Sequence, residues 1–194
     1  MQKLVVLSGY PRSGKSTIAR FMRKELGFSV VSMDQARCDV HGMPFPMLLE
    51  YHGNGDPQNP KFLRKEAEVC DRVQRQKLVL LNQGADVVVD SCAIDNDARW
   101  TLIQPSYSEL FCDRALDRYL AVLDVRRDEL LKRAARSEYN LGFYKVWDTV
   151  YEMPDHYLFN SNGGAGRYLR FENNTPMDLH RAQQALKKLF GVSL

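Results

Sequence analysis

The chain has 194 residues, a formal net charge of +3 and four cysteines. That length favours a single domain over residues 1–194, large enough for a central sheet covered on both faces. The composition, 44% hydrophobic and 26% charged, is ordinary for a globular protein, and no apolar run is long enough to cross a membrane. The small positive charge permits a polyanionic partner without requiring one.

The cysteines are spread widely along the chain, with no C-x-x-C pair and no nearby histidine pattern. They are Cys38, Cys70, Cys92 and Cys112. This spacing predicts reduced thiols and argues against both a disulfide framework and a zinc site. An apolar run that begins at residue 4 leaves no room for a signal peptide, so we expect a cytoplasmic protein.

Residues 9–17 read G-Y-P-R-S-G-K-S-T and satisfy G-x-x-x-x-G-K-[ST], a loop that binds nucleotide phosphates. A chance match in a glycine-containing turn is the alternative, but an apolar strand pattern at 4–7 and helical spacing at 18–26 flank the motif. We expect Lys15 to reach the β- and γ-phosphates of ATP and Ser16 to bind Mg²⁺. The other expected nucleotide contacts are Gly9, Pro11, Arg12, Ser13, Gly14 and Thr17.

Apolar strand patterns alternate with helical ones along the rest of the chain. Strands are expected at about 28–32, 85–90, 119–124, 156–159 and 167–171. Helices are expected at about 61–83, 98–110 (broken near Pro105), 128–137, 143–152 and 176–190. The alternation predicts an α/β fold, a P-loop nucleotide-binding domain with a parallel five-stranded sheet flanked by helices. Ligands should bind at the carboxyl ends of the strands.

The segment 37–60 carries seven glycines and prolines and is predicted to be irregular. A loop of that length in a compact domain is more often a functional surface than a connection, so we interpret it as a substrate-side insert. The aromatic side chains in it favour packing, and stacking on nucleic-acid bases is the alternative for Phe45, Tyr51 and His52.

Two carboxylates follow predicted strands. Asp90 ends the run V-V-V-D, which is typical of an aspartate that holds Mg²⁺ directly or through water; a turn cap is the alternative. Asp34 follows the second strand and either caps a helix or acts as a general base toward an attacking hydroxyl. Arg37, three residues later, would then bind an anionic group of the same substrate.

A strongly charged helix is predicted after the fourth strand, and it places Arg133 and Arg136 on one face. In small P-loop kinases an arginine lid occupies this position and spreads charge on the transferred phosphoryl group. We therefore predict a lid over about residues 126–142. A solvated helix with internal ion pairs is the alternative, through Asp128–Lys132 and Glu129–Arg133.

Together these motifs resemble the kinase domain of phage-type 5′-polynucleotide kinases over roughly residues 3–137. The matching segments are the loop at 9–17, Asp34-x-x-Arg37, Val88-Val89-Asp90-Ser91 and Leu130-Leu131-Lys132-Arg133-x-x-Arg136. The resemblance implies ATP and Mg²⁺ as cofactors and a nucleic acid, DNA or RNA, as substrate and partner.

By motif position, the resemblance makes Asp34 the base toward a 5′-hydroxyl and Arg37 a contact of the substrate phosphate. It makes Asp90 a metal and substrate ligand and Arg133 and Arg136 the catalytic lid arginines. Less specifically, the loop at 160–164 resembles the adenine-side loop of small P-loop kinases, which would add Asn160 to the nucleotide site.

Three departures leave the acceptor open. Arg12 stands where these kinases often have glycine, the 37–60 insert has no counterpart, and no D-x-D-x-T phosphatase motif occurs. Related phage kinases phosphorylate hydroxymethyl groups on DNA bases, such as 5-hydroxymethyluracil, and a nucleoside or nucleotide kinase would use the same catalytic parts. A nucleotide switch is disfavoured because the chain has no N-K-x-D guanine motif.

Overall fold

The computed structural model describes residues 1–44, 60–104, 116–136, 148, 150–155 and 167–191. These residues build a five-stranded sheet in the order β2-β3-β1-β4-β5. Every strand pair is parallel. The strands are β1 Gln2–Ser8, β2 Ser29–Ser32, β3 Val87–Asp90, β4 Leu116–Asp124 and β5 Arg167–Glu172.

Six helices accompany the strands in the described part of the chain. They are α1 Lys15–Leu26, α2 Met33–His41, α3 Pro60–Asn82, α4 Asn96–Ile103, α5 Arg127–Ala135 and α6 Pro176–Phe190. Among the described residues, no helix is both long and apolar enough to cross a membrane.

Alternate residues of β1 face two separate cores because successive side chains of a strand point to opposite faces of the sheet. Leu4 and Val6 pack with residues of α2, α3 and α4 on one face. Val5 and Leu7 pack with residues of α1 and α6 on the other. Both faces are therefore covered, as the sequence predicted, and the α/β fold with a parallel five-stranded sheet is confirmed.

The strand register brings the predicted site residues to one edge of the sheet. Asp90, the last residue of β3, pairs with Leu7 of β1 on one side and with Ser32 of β2 on the other. The chain leaves β1 into the loop at 9–14 and leaves β2 directly into α2. The phosphate-binding motif, Asp34 and Asp90 therefore leave the sheet at the same carboxyl edge.

The predicted irregular segment at 37–60 is wrong for its first residues, because α2 continues to His41. Ser32 caps that helix by accepting a hydrogen bond from the backbone N–H of Gln35 at 3.3 Å, so Asp34 is not its N-cap. Gly42 ends the helix in the left-handed conformation, with φ of 67°, which glycine adopts without strain. Residues 45–59, with the three aromatic residues discussed above, lie outside the described residues.

Other boundaries also differ from prediction. The helix expected at 98–110, broken near Pro105, begins earlier, at Asn96, where Asp95 caps it, and its first part ends at Ile103. Residues 105–110 lie outside the described residues. Residues 151–155 have no regular secondary structure, so the helix expected at 143–152 ends before residue 151. The strand expected at 156–159 lies outside the described residues, and 167–172 supplies the fifth strand of the sheet.

Candidate active site

The loop between β1 and α1 is shaped by two glycines with positive φ. Gly9 has φ of 138°, and a Cβ atom there would lie 2.5 Å from the carbonyl oxygen of Leu123. Gly14 has φ of 98°, and a Cβ atom there would collide with the side-chain amide of Asn173. Between them Arg12 also has positive φ, at 64°, which is uncommon for a residue with a side chain. The motif glycines are thus required by the close approach of β4 and of the chain after β5.

Lys15 extends across this loop from the start of α1. Its side chain is buried, and Nζ donates hydrogen bonds to the carbonyl oxygens of Gly9 at 2.9 Å and Tyr10 at 2.6 Å. No side chain caps the N-terminus of α1 and no acidic residue occupies its first turn. Backbone N–H groups at such a helix end are available to phosphate oxygens, so the loop fits the phosphates of a nucleoside triphosphate.

Ser16 and Asp90 form the part of the site that fits a magnesium ion. Ser16 and Asp90 both line the cavity at the carboxyl edge of the sheet, and the Ser16 hydroxyl acts to lower the pKa of the Asp90 carboxyl. Burial raises the pKa of Asp90, and Lys15 and the Ser16 hydroxyl partly offset this effect. In the described part of the chain, no three His, Cys, Asp or Glu residues cluster as a metal site. The pair therefore fits Mg²⁺ held by one carboxylate and one hydroxyl together with substrate phosphates.

Asp34 lies in the first turn of α2 and is partly exposed, with 46% of its side chain accessible. Its Oδ1 is 3.2 Å from Nη1 of Arg37. Arg37 also binds Glu66 of α3, with Nε 3.0 Å from Oε2, and the buried His41 ring lies 3.2 Å from the other oxygen of Glu66. Arg37 therefore connects the carboxylate of Asp34 to Glu66 of the neighbouring helix α3 through two ion pairs.

One cavity of about 870 Å³ brings these elements together. Its walls are formed by the phosphate-binding loop, α1, the start of α2, the carboxyl end of β3, α5, and the turn before α6 with the start of that helix. The residues that line it are Pro11, Arg12, Gly14, Lys15, Ser16, Thr17, Arg20, Asp34, Asp90, Ser91, Cys92, Glu129, Arg133, Arg136, Asn173, Asn174, Thr175, Pro176 and Leu179. Arg37 is not among these lining residues.

Arg133 connects α5 to two other walls of the cavity. Its Nη2 donates to the carbonyl oxygen of Asn173 at 2.6 Å and its Nη1 to that of Arg12 at 3.3 Å. Its Nε donates to Glu129 at 2.9 Å, so the ion pair expected for a solvated helix is also present. Arg136 is exposed at the end of the same helix and lines the cavity. Residues 137–142 of the predicted lid lie outside the described residues.

The sequence did not single out the turn between β5 and α6. Asn173 is buried, its Nδ2 donates to the carbonyl oxygen of Ser13 at 2.7 Å, and its N–H donates to the carbonyl oxygen of Asp124 at 2.9 Å. Thr175 then caps α6 in a reciprocal box with Asp178. The available signal was the N-N-T-P run at 173–176, which begins two residues after the end of the strand expected at 167–171. Asn160, which the sequence predicted for the adenine side of the nucleotide site, lies outside the described residues.

Comparisons with known proteins show similarity to P-loop kinases. Residues 4–143 match the family model described as AAA domain. Shikimate kinase from Clostridium beijerinckii is 26% identical over 153 residues, which cover 79% of this chain and 80% of that protein. Shikimate kinase from Clostridium botulinum (strain Alaska E43) is 26% identical over 164 residues, covering 84% and 90%.

The fold is also similar to that of a solved sugar kinase from Janibacter sp. HTCC2649. That structure aligns with a TM-score of 0.68 at 15% identity and covers 97% of this chain and 95% of its own. The specific resemblance to phage polynucleotide kinases stays a prediction. The family match spans the phosphate-binding loop, Asp34, Asp90, Arg133 and Arg136, and the chain belongs to the AAA domain family as a P-loop kinase.

Proposed function

We propose that this protein transfers the γ-phosphate of ATP to an alcohol hydroxyl that Asp34 activates as general base. The observation that carries the proposal is the shared cavity. Asp34 lines the same space as Lys15, Ser16 and Asp90, so a hydroxyl beside its carboxylate faces the phosphate end of a nucleotide in the loop. A base and a phosphate site that open onto one cavity are what in-line phosphoryl transfer requires.

The nucleotide would lie along the loop, with its triphosphate at the N-terminus of α1 and Lys15 at the β- and γ-phosphates. Ser16 and Asp90 would hold Mg²⁺, which when bound offsets phosphate charge. The turn from Asn173 to Pro176 lines the same cavity, where Asn173 contacts both Ser13 of the phosphate-binding loop and Arg133. We propose that this turn contributes to the side of the site that holds the base of the nucleotide, for which the sequence also predicts Asn160.

The chemical step balances within the proposed site. As the acceptor oxygen bonds to the γ-phosphorus, its proton passes to the Asp34 carboxylate and the bond to the β–γ bridging oxygen breaks, leaving ADP. Arg133 and Arg136 contribute positive charge at the cavity wall where negative charge develops on the transferred group. Asp34 later returns its proton to solvent.

For the acceptor, we propose the 5′-hydroxyl end of a nucleic acid. The D-x-x-R motif supports it through the resemblance to phage-type 5′-polynucleotide kinases, in which the aspartate is the base toward a 5′-hydroxyl. Five cationic side chains along the cavity also suit a polyanion: Arg12, Lys15, Arg20, Arg133 and Arg136. A hydroxymethylpyrimidine base in DNA, such as 5-hydroxymethyluracil, would present the same chemistry on the same polymer.

A small-molecule alcohol is the second candidate acceptor. The curated relatives that cover about four-fifths of the chain are named shikimate kinase, and shikimate is a hydroxylated carboxylate. The nucleic-acid end and shikimate share one property: each carries its hydroxyl close to an anionic group. A nucleoside, which has no such group, would be the exception.

Transfer from γ-labelled ATP to a panel of acceptors tests the proposal. The panel holds 5′-hydroxyl DNA and RNA oligonucleotides, hydroxymethylated duplex DNA, shikimate and free nucleosides. We expect saturable, Mg²⁺-dependent labelling of an oligonucleotide. Labelling of shikimate alone would favour the second candidate, labelling of nucleosides alone would contradict an anionic acceptor, and ATP hydrolysis without transfer to any member would contradict a kinase of these acceptors.

A further inference from the structure

Arg20 lies on α1, one helical turn after Ser16, and its exposed side chain lines the cavity. Its Nη2 is 3.4 Å from the Thr17 hydroxyl. Within the described ranges, Arg20 has no ion pair and no other hydrogen bond. An arginine that carries five donors and uses one of them weakly has donors available for a ligand.

Arg20 and Asp34 line the same cavity, as does Asp90. The positive charge of Arg20 acts to lower the pKa of Asp90, and the negative charge of Asp34 acts to raise it. Neither carboxylate is within ion-pair distance of Arg20 in the described structure. Arg20 therefore stands beside the proposed base and metal ligand without being a fixed counter-ion of either.

Arg37, the arginine that the sequence favoured as the anion contact, is differently placed. Two carboxylates already bind it, with Nη1 3.2 Å from Asp34 and Nε 3.0 Å from Glu66. The field of these carboxylates outweighs the effect of burial and raises the pKa of Arg37. A guanidinium with two bound carboxylates has little net charge to offer a third anion.

The four other cationic residues of the cavity belong to two elements, the phosphate-binding loop with Arg12 and Lys15 and the end of α5 with Arg133 and Arg136. Lys15 spans the phosphate-binding loop, and Arg133 donates to Asn173, Arg12 and Glu129. Arg20 is thus placed to meet the acceptor.

We propose that Arg20 binds an anionic group of the acceptor, a phosphate or a carboxylate close to the reacting hydroxyl. This inference rests on the proposed function and names the group that the acceptor must carry. A planar guanidinium suits either anion because two parallel N–H donors match two oxygens. The anion can come from a polynucleotide backbone or from a small hydroxy acid, and in both cases Arg20 determines specificity against uncharged alcohols.

Equilibrium binding tests this role independently of turnover. The full-length protein is first saturated with Mg²⁺ and a non-hydrolysable ATP analogue, which fills the nucleotide side. Calorimetric titrations then follow with a 5′-hydroxyl DNA oligonucleotide, with shikimate and with thymidine as the uncharged probe. The variants are Arg20→Ala, Arg20→Lys and, as matched control, Arg23→Ala, which removes an exposed arginine one turn farther along α1 that is not among the lining residues.

We expect Arg20→Ala to weaken binding of the anionic probe about 10- to 100-fold, the range of one lost charge-assisted interaction. Arg20→Lys should restore part of it, because lysine keeps the charge and loses the paired donors. Arg23→Ala should bind like the wild-type protein. The probe whose affinity falls in Arg20→Ala, the oligonucleotide or shikimate, identifies the source of the anion.

Two results would overturn the inference: equal binding of the anionic probes by the wild-type and Arg20→Ala proteins, or wild-type binding of thymidine alone. Asp34→Asn separates this outcome from failure of the proposed function. If it binds the anionic probe normally and does not transfer phosphate, the base assignment holds. If it transfers phosphate normally, the proposed function fails while the Arg20 binding result stands by itself.

Discussion

Nη1 of Arg37 lies 3.2 Å from Oδ1 of Asp34, one helical turn apart on α2. Because Glu66 of α3 binds the same guanidinium, the Asp34 carboxylate is oriented by a neighbouring helix as well as by its own. The motif D-x-x-R therefore has a structural consequence that its spacing alone does not give. It fixes the direction of the carboxylate that we propose as the general base.

The first prediction concerns that carboxylate. Asp34→Asn keeps the shape of the side chain and removes its basicity, so kcat should fall by about 10²- to 10⁴-fold, as for a lost general base. ATP affinity should change little, since Asp34 is outside the phosphate-binding loop. Steady-state kinetics and calorimetry with the ATP analogue measure the two quantities separately.

Asp39→Asn is the matched control for this prediction. Asp39 is on the same helix, pairs with Arg72 at 2.9 Å and is not among the lining residues. Its substitution should leave kcat within about twofold, since lost exposed ion pairs cost little. Loss of ATP binding or of folding in Asp34→Asn would instead make Asp34 a structural residue.

The second prediction concerns Lys15. Lys15→Ala removes the ammonium at the phosphate end of the loop, and both ATP binding and transfer should be lost. The fold should persist because the strand register and both cores do not involve this side chain. Circular dichroism and thermal unfolding report the fold, and calorimetry reports ATP binding. Normal turnover by a folded Lys15→Ala protein would disprove the nucleotide site.

The sequence predicted the sheet and the phosphate-binding loop well because both depend on local patterns. The apolar runs of β1, β3 and β4 and the glycines at 9 and 14 are visible without any tertiary information. The strand register then brings Asp34 and Asp90 to one edge, as parallel topology requires.

What sequence reasoning missed depends on contacts between distant residues. Nothing local to Arg37 indicates that Glu66, 29 positions later, binds it. Asn173 likewise acquires its place through Ser13, 160 positions away. From the sequence alone, Arg20 is an ordinary polar residue on the exposed face of a helix. Only the structure shows that it lines the cavity. Ion pairs between residues distant in sequence therefore determine which arginines remain available to bind a substrate anion.

The third prediction separates the two lid arginines. Arg133→Ala should weaken ATP binding and lower kcat, since Arg133 holds the loop carbonyl of Arg12 and the carbonyl of Asn173. Arg136→Ala should lower kcat with a smaller effect on ATP affinity, because Arg136 is exposed and lines the cavity. A catalytic arginine at this position is worth about 10³-fold or more in kcat.

Lys132→Ala serves as the control for both lid variants. Lys132 is exposed on the same helix and pairs with Asp128 at 3.4 Å. Its kinetics should match those of the wild-type protein. If Arg133→Ala and Arg136→Ala behave like Lys132→Ala, α5 is a solvated helix and not a lid.

The fourth prediction distinguishes the two acceptor classes by salt dependence. A polynucleotide releases counterions when cationic residues neutralise its phosphates, so its affinity should fall steeply between low and moderate salt. A small hydroxy acid should show only a shallow decrease. Titration of the oligonucleotide and of shikimate across a salt series measures both slopes, and a flat slope for the oligonucleotide would argue against binding through its backbone.

The last prediction concerns stability and is independent of the active site. Lys77 of α3 is fully buried, and its Nζ donates to the carbonyl oxygens of Leu102 at 2.8 Å and Gln104 at 2.6 Å. These carbonyls lie at the end of α4, where helix geometry leaves oxygens without intrahelical partners. Lys77→Met keeps the volume and removes both bonds, so the free energy of unfolding should fall by about 1–3 kcal/mol for each oxygen left unsatisfied.

The difference in unfolding free energy between the wild-type protein and Lys77→Met should depend on pH. Burial lowers the pKa of Lys77 to about 7, against an ordinary value of 10.5. Between these values the unfolded chain binds a proton that the folded protein does not, so stability rises with pH across that window. The wild-type protein should therefore gain stability relative to Lys77→Met as pH increases from about 7 to about 10. Urea unfolding of both proteins at several pH values measures the difference, and a constant or decreasing difference would show that Lys77 stays charged in the fold.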